Sequence, residues 1–142
     1  MKVSRRQRMQ TIDALLEGYS SLSVARLLEP LDHDFYHRTL PQSLGMPVRN
    51  REAFAEHAAR VFSVFEEFKM VPRTIIDDAS SGIVAIEADM LGTLKGGRGE
   101  WKNECVMMVK LSEDGLKVLE VREFVDSAKA MEMTRKNAKF RL

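Results

Sequence analysis

The chain has 142 residues, of which 44% are hydrophobic and 30% charged, and its formal net charge is +1 at pH 7. This length and composition are typical of one globular domain, so we expect a single domain over residues 1–142 and exclude a disordered or fibrous protein. Because 22 Lys and Arg residues balance 21 Asp and Glu residues, no net field attracts nucleic acid or anionic lipid, and we expect neither as a partner.

Cys105 is the only cysteine of the chain, which excludes an internal disulfide and any site built from several thiolates. A reducing compartment suits such a chain, and we expect it to be cytoplasmic. The basic N-terminal stretch contains Arg5, Arg6 and Arg8, but no long apolar run follows it. It therefore predicts the solvated first turn of a helix rather than a signal peptide or a membrane span.

Two helices are predicted before the first strand. Apolar residues recur at spacings of three and four between Met9 and Tyr19, which predicts a first helix of about four turns. Ser23 is suited to cap a short second helix through Leu28. Pro30 ends that helix, because proline cannot donate to the hydrogen-bond ladder.

The next segments predict a strand and a third helix. Residues 34–40 are rich in aromatic and β-branched side chains, which favours a short strand, and a loop with Gly45 follows at 41–47. Asn50 is suited to cap a long third helix. The apolar face of this helix is the heaviest core-forming element of the sequence and consists of Phe54, His57, Ala58, Val61, Phe62, Phe65 and Phe68.

Beyond Pro72 the apolar period changes to two, which predicts strands. Four such runs occupy residues 73–79, 83–95, 100–111 and 116–126, and turn sequences containing glycine separate them. Short turns between long strands predict an antiparallel meander. Residues 127–140 predict a final helix that Asp126 or Ser127 caps.

Three segments resemble a known family. They are residues 38–44 (RTLPQSL), Asn103-Glu104, and residues 123–127 (EFVDS). Together with the order of the predicted elements, they resemble the NTF2-like (SnoaL-like) superfamily, and within it the small fungal isomerases and cyclases that rearrange meroterpenoid and aromatic-polyketide intermediates. The resemblance implies an α+β cone, with three N-terminal helices packed on a curved antiparallel sheet and a C-terminal helix.

The same resemblance implies a function. It implies a homodimer with one cavity per subunit, no cofactor, and acid–base chemistry on a small hydrophobic polycyclic or quinone-like substrate. The sequence contains no P-loop, no dinucleotide fingerprint, no G-x-S-x-G motif and no H-E-x-x-H motif, which disfavours redox and phosphoryl-transfer enzymes. A non-catalytic ligand carrier or dimerisation module of the same fold is the alternative.

The histidines are the first candidates for proton transfer. His57 shares the apolar face of the third helix and is expected to point into the cavity, where an ordinary pKa near 6.5 allows it to give or accept a proton. The alternative is a core histidine bonded to a neighbour. The spacings of His33, His37 and His57 match no standard metal pattern, so we expect no metal ion.

Arg38 is the second candidate catalytic residue. His37 and Arg38 are neighbours on the predicted strand, so their side chains lie on opposite faces and only one of them enters the cavity. The resemblance over residues 38–44 favours Arg38, whose guanidinium fork would hold an enolate or carboxylate oxygen. The alternative is a surface arginine paired with a carboxylate at the rim.

Asp126 is the third candidate. It is suited to remove a proton next to a carbonyl, or else to cap the final helix. The substrate-binding candidates are Trp101 as a flat wall, Asn103 as a hydrogen-bond partner for a carbonyl, and Phe54 and Phe124 as apolar contacts. For Trp101 the alternative is a dimer contact, and for Asn103 it is a residue at the end of its strand. Elsewhere Glu87 and Asp89 share one face of a strand, which we interpret as a solvated outer face.

Overall fold

The computed structural model describes residues 3–136, which form four α-helices and six strands. The helices are α1 (Arg5–Ser20), α2 (Val24–Leu28), α3 (Arg51–Phe62) and α4 (Ser127–Lys136), and the strands are β1 (Leu31–Leu40), β2 (Arg49–Asn50), β3 (Phe65–Asp78), β4 (Ile83–Leu94), β5 (Glu100–Leu111) and β6 (Val118–Val125). The predicted last helix is confirmed as far as Lys136, and residues 137–140 of that prediction lie outside the described part. None of the helices described is long and apolar enough to cross a membrane.

Short polar side chains begin three of the helices, as local sequence predicts. Ser4 accepts a hydrogen bond from the backbone of Gln7 at 3.1 Å. Ser23 caps α2, and the side chain of Asn50 accepts a bond from the backbone of Ala53 at 2.9 Å. Each of these caps satisfies a backbone donor that the first turn of a helix leaves free.

All six strands form one sheet in the order β2-β1-β6-β5-β4-β3. The meander of β3 to β6 is antiparallel as predicted. The expectation of a wholly antiparallel sheet is corrected at β1, which pairs with β6 in parallel. The two-residue β2 pairs with the other edge of β1 and is too short to show a strand pattern in the sequence.

The third helix is shorter than the sequence predicts. It ends at Phe62, and Phe65 and Phe68 belong to β3, which begins well before Pro72. Both rings are nevertheless buried. A shift of register between Phe65 and Glu67 lets two residues three positions apart share the inner face of a strand, and this spacing imitates helical periodicity.

The helices and the inner face of the sheet enclose the core. Its fully buried side chains come from α1, from β1 and from the long strands, and the largest are Phe35, Phe65, Ile12, Leu15, Leu27, Ile86 and Met107. The opposite face of the sheet carries Glu87 and Asp89, which contact the guanidinium of Arg73 at 3.7 and 3.5 Å. The two carboxylates therefore lie on the outer face, as predicted.

Candidate active site

An apolar cavity lies between the helices and the inner face of the sheet. Its empty volume, including its mouth, is about 760 Å³. Most of its lining is apolar; the polar side chains that reach it are Tyr19, His37, Thr39, His57, Asn103 and Glu123. A mainly apolar cavity with a few convergent polar groups is typical of a site for a small organic ligand.

A histidine and a carboxylate form a pair in the wall of this cavity. His37 of β1 and Glu123 of β6 are brought together by the parallel pairing of their strands. The Nε2 atom of His37 lies 3.6 Å from Oε1 of Glu123, and their side chains are only 5% and 11% exposed. The ring of Phe54 lies 4.8 Å from the His37 ring, and Nδ1 of His37 has no hydrogen-bond partner among the described residues.

His57 of α3 lines the cavity, as predicted from its place on the apolar face. Its pKa is lowered to about 3, first by burial and then by the positive charges of Arg49, His37 and Arg60. The expectation of an ordinary pKa is thereby corrected, because a buried imidazole among cations stays neutral. Its Nδ1 has no hydrogen-bond partner among residues 3–136.

Tyr19 of α1 places a hydroxyl in the same wall. Burial raises its pKa well above the ordinary value, and the charges of Glu123 and Cys105 raise it further. The phenol therefore keeps its proton. Since its oxygen has no hydrogen-bond partner within the described part of the chain, Tyr19 is a neutral donor available to a ligand.

Three of the predicted binding residues line the cavity, namely Trp101, Asn103 and Phe54. The Trp101 ring stacks on Phe68 with centroids 6.4 Å apart. Oδ1 of Asn103 accepts a hydrogen bond from the backbone of Glu104 at 2.8 Å, and its amide nitrogen donates to the backbone oxygen of Asp126 at 3.5 Å. One amide hydrogen is therefore left for a ligand.

The other three predicted site residues lie outside this cavity. Arg38 is half-buried on the face of β1 opposite His37, so the choice between these two neighbours is corrected in favour of His37. Phe124 is 50% exposed on the outer face, because it follows the inward Glu123. Asp126 is exposed, and its carboxylate accepts a bond from the backbone of Lys129 at 3.2 Å, which is the capping alternative.

Sequence reasoning missed His37, Glu123 and Tyr19. A signal for Glu123 was present, because it alternates with Val121 and Val125 and therefore shares their apolar face. A carboxylate in the middle of an apolar strand face indicates a buried, functional acid. His37 follows Phe35 at the same spacing of two.

Groups that could hold a metal ion lie elsewhere. In the described part of the chain, one set of potential ligands, Asp32, His33 and Asp34, brings its ligand atoms within 4.8 Å of one another. These side chains lie at the surface, outside the cavity. The thiol of Cys105 is buried, and burial raises its pKa, so it is not a reactive thiolate.

Comparison with known proteins gives relatives at low identity. No protein-family model matches the chain. Monooxygenase dmxR10 of Cryptosporiopsis sp. (strain 8999) is 27% identical over 118 residues, which cover 83% of this chain and 79% of that protein. Monooxygenase AgnL5 of Paecilomyces divaricatus is 28% identical over 118 residues, which cover 83% of this chain and 72% of that protein.

Several solved structures share the fold. BvnE pinacolase from Penicillium brevicompactum superposes with a TM-score of 0.87 at 18% identity and covers 94% of this chain and 92% of its own. AusH from Aspergillus nidulans superposes with a TM-score of 0.81 at 20% identity, and the match covers 88% of this chain and 87% of that protein. TerC, co-crystallised with polyporic acid, superposes with a TM-score of 0.72 at 16% identity, and the match covers 91% of this chain and 98% of that protein. The fold predicted from the sequence is thereby confirmed.

Proposed function

Because the chain has the NTF2-like (SnoaL-like) fold, we propose that it is an isomerase or cyclase of fungal polyketide or meroterpenoid biosynthesis that needs no cofactor. The buried pair of His37 and Glu123, 3.6 Å apart, is the observation that carries the proposal. A proton acceptor held in a water-poor, apolar cavity is suited to chemistry next to a carbonyl group. The pinacolase among the structural neighbours supports a rearrangement.

The proposed reaction begins with proton removal. The carboxylate of Glu123 takes a proton from the carbon next to a substrate carbonyl, and His37 positions that carboxylate. The electron pair of the broken C–H bond moves to the carbonyl oxygen and forms an enolate. Return of the proton to another carbon completes an isomerisation, and attack of the enolate carbon on a second carbonyl closes a ring. Neither route needs an oxidant.

Neutral donors stabilise the enolate in this proposal. The hydroxyl of Tyr19 keeps its proton because its pKa is raised, and His57 is a neutral imidazole at physiological pH because its pKa is about 3. Donors of this kind, directed at an oxygen where negative charge develops, lower the barrier without themselves exchanging a proton. The amide hydrogen of Asn103 that is not directed at the backbone oxygen of Asp126 is proposed to bind a second carbonyl.

The shape of the cavity supports a flat hydrophobic substrate. Trp101 and Phe54 supply aromatic walls on which a polycyclic or quinone-like ring stacks. A structural neighbour was crystallised with polyporic acid. In this proposal Glu123 takes the role of base that the sequence suggested for Asp126, because the Asp126 carboxylate lies at the surface.

The names of the curated relatives favour a second candidate function, that of a monooxygenase. The same enolate would then react with O₂. One oxygen atom would bond to the substrate carbon, and the other would leave as water with two electrons and two protons taken from the substrate or from an added donor. The two candidates predict different product masses. An isomerase leaves the mass of the substrate unchanged, and a cyclase leaves it unchanged or releases water. A monooxygenase adds one oxygen atom.

The deciding experiment incubates the purified protein with extracts of polyketide and meroterpenoid intermediates under nitrogen and under ¹⁸O₂, with mass spectrometry as the readout. Conversion under nitrogen without added cofactor supports the isomerase or cyclase. A product that carries ¹⁸O and forms only with oxygen supports the monooxygenase. Thermal stabilisation by a ligand without any product supports a carrier and contradicts both.

A matched pair of variants tests the base. Glu123→Gln keeps the size of the side chain and removes the proton acceptor, so turnover is expected to fall by a factor of about 100 or more. Glu120→Gln is the control, because Glu120 lies on the outer side of the same strand and contacts Arg122 at 3.1 Å. Equal turnover in the two variants would contradict the role of Glu123.

We also propose a cytoplasmic homodimer. The outer face of the sheet exposes Val106 and Phe124, which are register partners on neighbouring strands, and apolar groups on a sheet face are suited to bury against a second copy. Sedimentation of the wild type and of Phe124→Asp tests the dimer. A monomeric wild type would contradict it.

A further inference from the structure

Arg49 is a buried cation without a counter-ion. The residue is 6% exposed, and its Nη1 atom has no hydrogen-bond partner among residues 3–136. No ion pair joins it to a carboxylate in that part of the chain. A buried charge is costly unless it is paired and hydrogen-bonded, so the free protein lacks an anion at this position.

The strand register places Arg49 on the cavity side of the sheet. Arg49 of β2 is the antiparallel partner of His37 on β1, and directly paired residues on neighbouring strands point to the same face. His37 lines the cavity, so Arg49 lies at the sheet edge on the same side. The next pair, Tyr36 with Asn50, is exposed on the other side.

Positive charge lies close to this end of the cavity, although Arg49 is not itself one of the lining residues. The charge of Arg49 is one of the causes that lower the pKa of His57, and the charge of Arg60 acts on Arg49 in the same way. Among the residues 3–136 that line the cavity, Glu123 is the single carboxylate, and its neighbour is His37. The opposite wall, with Trp101 and Phe68, is aromatic.

We propose that Arg49 binds a carboxylate of the substrate, so that the protein acts on an aromatic or polycyclic acid rather than on a neutral ketone. The planar guanidinium matches a carboxylate with two parallel hydrogen bonds. The apolar ring system then extends towards Trp101, and the acid group remains at the sheet edge. This inference rests on the proposed function, because it assumes that the cavity is the substrate site. It adds the chemical class of the substrate, an aromatic or polycyclic acid.

Two probes that differ only in charge test the inference. Isothermal titration calorimetry compares 2-naphthoate with 2-naphthamide, which has the same ring and nearly the same shape. The wild type is expected to bind the acid at least tenfold more tightly than the amide. In Arg49→Met the affinity for the acid falls at least tenfold and that for the amide is unchanged. Arg122→Met, on the outer side of β6, is the control and keeps the selectivity.

Thermal denaturation without ligand separates binding from a structural role. Replacing an unpaired buried cation by an apolar side chain of similar length leaves the melting temperature unchanged or raises it. Equal binding of the acid and the amide by the folded wild type would overturn the inference. A lower melting temperature of Arg49→Met in addition would show that Arg49 has a structural role instead.

The outcome is independent of catalysis. Glu123→Gln is expected to lose turnover and to keep its selectivity for 2-naphthoate. If the acid is selected through Arg49 but no extract is converted, the proposed function fails and the carboxylate site stands. If extracts are converted and Arg49→Met binds the acid as the wild type does, the carboxylate site alone fails.

Discussion

His57 makes the stability of the fold dependent on pH. Its pKa is near 6.5 in the unfolded chain and about 3 in the folded protein, because the folded protein buries the imidazole beside Arg49 and Arg60. Between these two values the unfolded chain binds a proton that the folded protein does not. The free energy of unfolding therefore falls as the pH drops below 6.5, by about 1.4 kcal/mol for each pH unit.

Replacing His57 by Gln removes this titration and keeps a polar side chain of similar size. From pH 6.5 to pH 4.5 the wild type is expected to lose about 2.5 kcal/mol more stability than His57→Gln. Urea denaturation of the wild type and of His57→Gln is repeated at about pH 7.5, 6.5, 5.5 and 4.5 at fixed protein concentration. Linear extrapolation to zero urea gives the free energy of unfolding of each protein as a function of pH.

The control for this comparison is His33→Gln. The side chain of His33 is 86% exposed, so its removal tests whether the loss of any histidine changes the pH dependence. His33→Gln is expected to follow the wild type. If the curve of His57→Gln stays parallel to that of the wild type down to pH 4.5, the reasoning about a buried neutral imidazole is refuted.

Three further predictions concern stability and reactivity. Asp126→Ala removes the cap of α4 and is expected to lower the free energy of unfolding in urea by about 1 kcal/mol. Asp126→Ser keeps a capping oxygen and is expected to retain both stability and turnover. Loss of turnover in Asp126→Ser would return the role of base to Asp126. Gly92→Ala would place a Cβ in steric overlap with the ring of Phe65 and is expected to cost about 1–3 kcal/mol of stability, which Phe65→Leu should partly restore. An unchanged melting temperature of Gly92→Ala would contradict the close approach. The buried thiol of Cys105 is expected to react with a disulfide reagent only as the protein unfolds, and rapid reaction at neutral pH without denaturant would contradict its burial.

A neutral His57 also suits the proposed chemistry. A protonated imidazole would compete with Arg49 for the acid group of the substrate. The neutral ring instead donates one hydrogen bond. Burial and the nearby cations, which lower the pKa of His57, thus keep it a neutral donor.

Much of the fold could be predicted because its signals are local. Ser23 and Asn50 begin helices through bonds to backbone groups three residues away, and Gly115 occupies a turn with a φ of +72° that suits glycine. The alternation on β5 placed Trp101 and Asn103 on the inner face, where both line the cavity. Signals of this kind lie within a few residues of the element they define.

The sequence by itself determined the four helices, five of the six strands, and the inner-face residues that β5 contributes to the cavity; it did not show β2 or the start of β3. Only the tertiary structure decided the rest. The parallel pairing of β1 with β6 joins His37 to Glu123, which are far apart in the chain. The register shift after Phe65 made a strand of residues whose spacing imitates a helix. The pKa of His57 depends first on burial and then on charges that include those of Arg49 and His37 on other elements. Short turns record the pairing of neighbouring strands, but contacts between distant segments, breaks in register and burial act through space and leave no such local pattern.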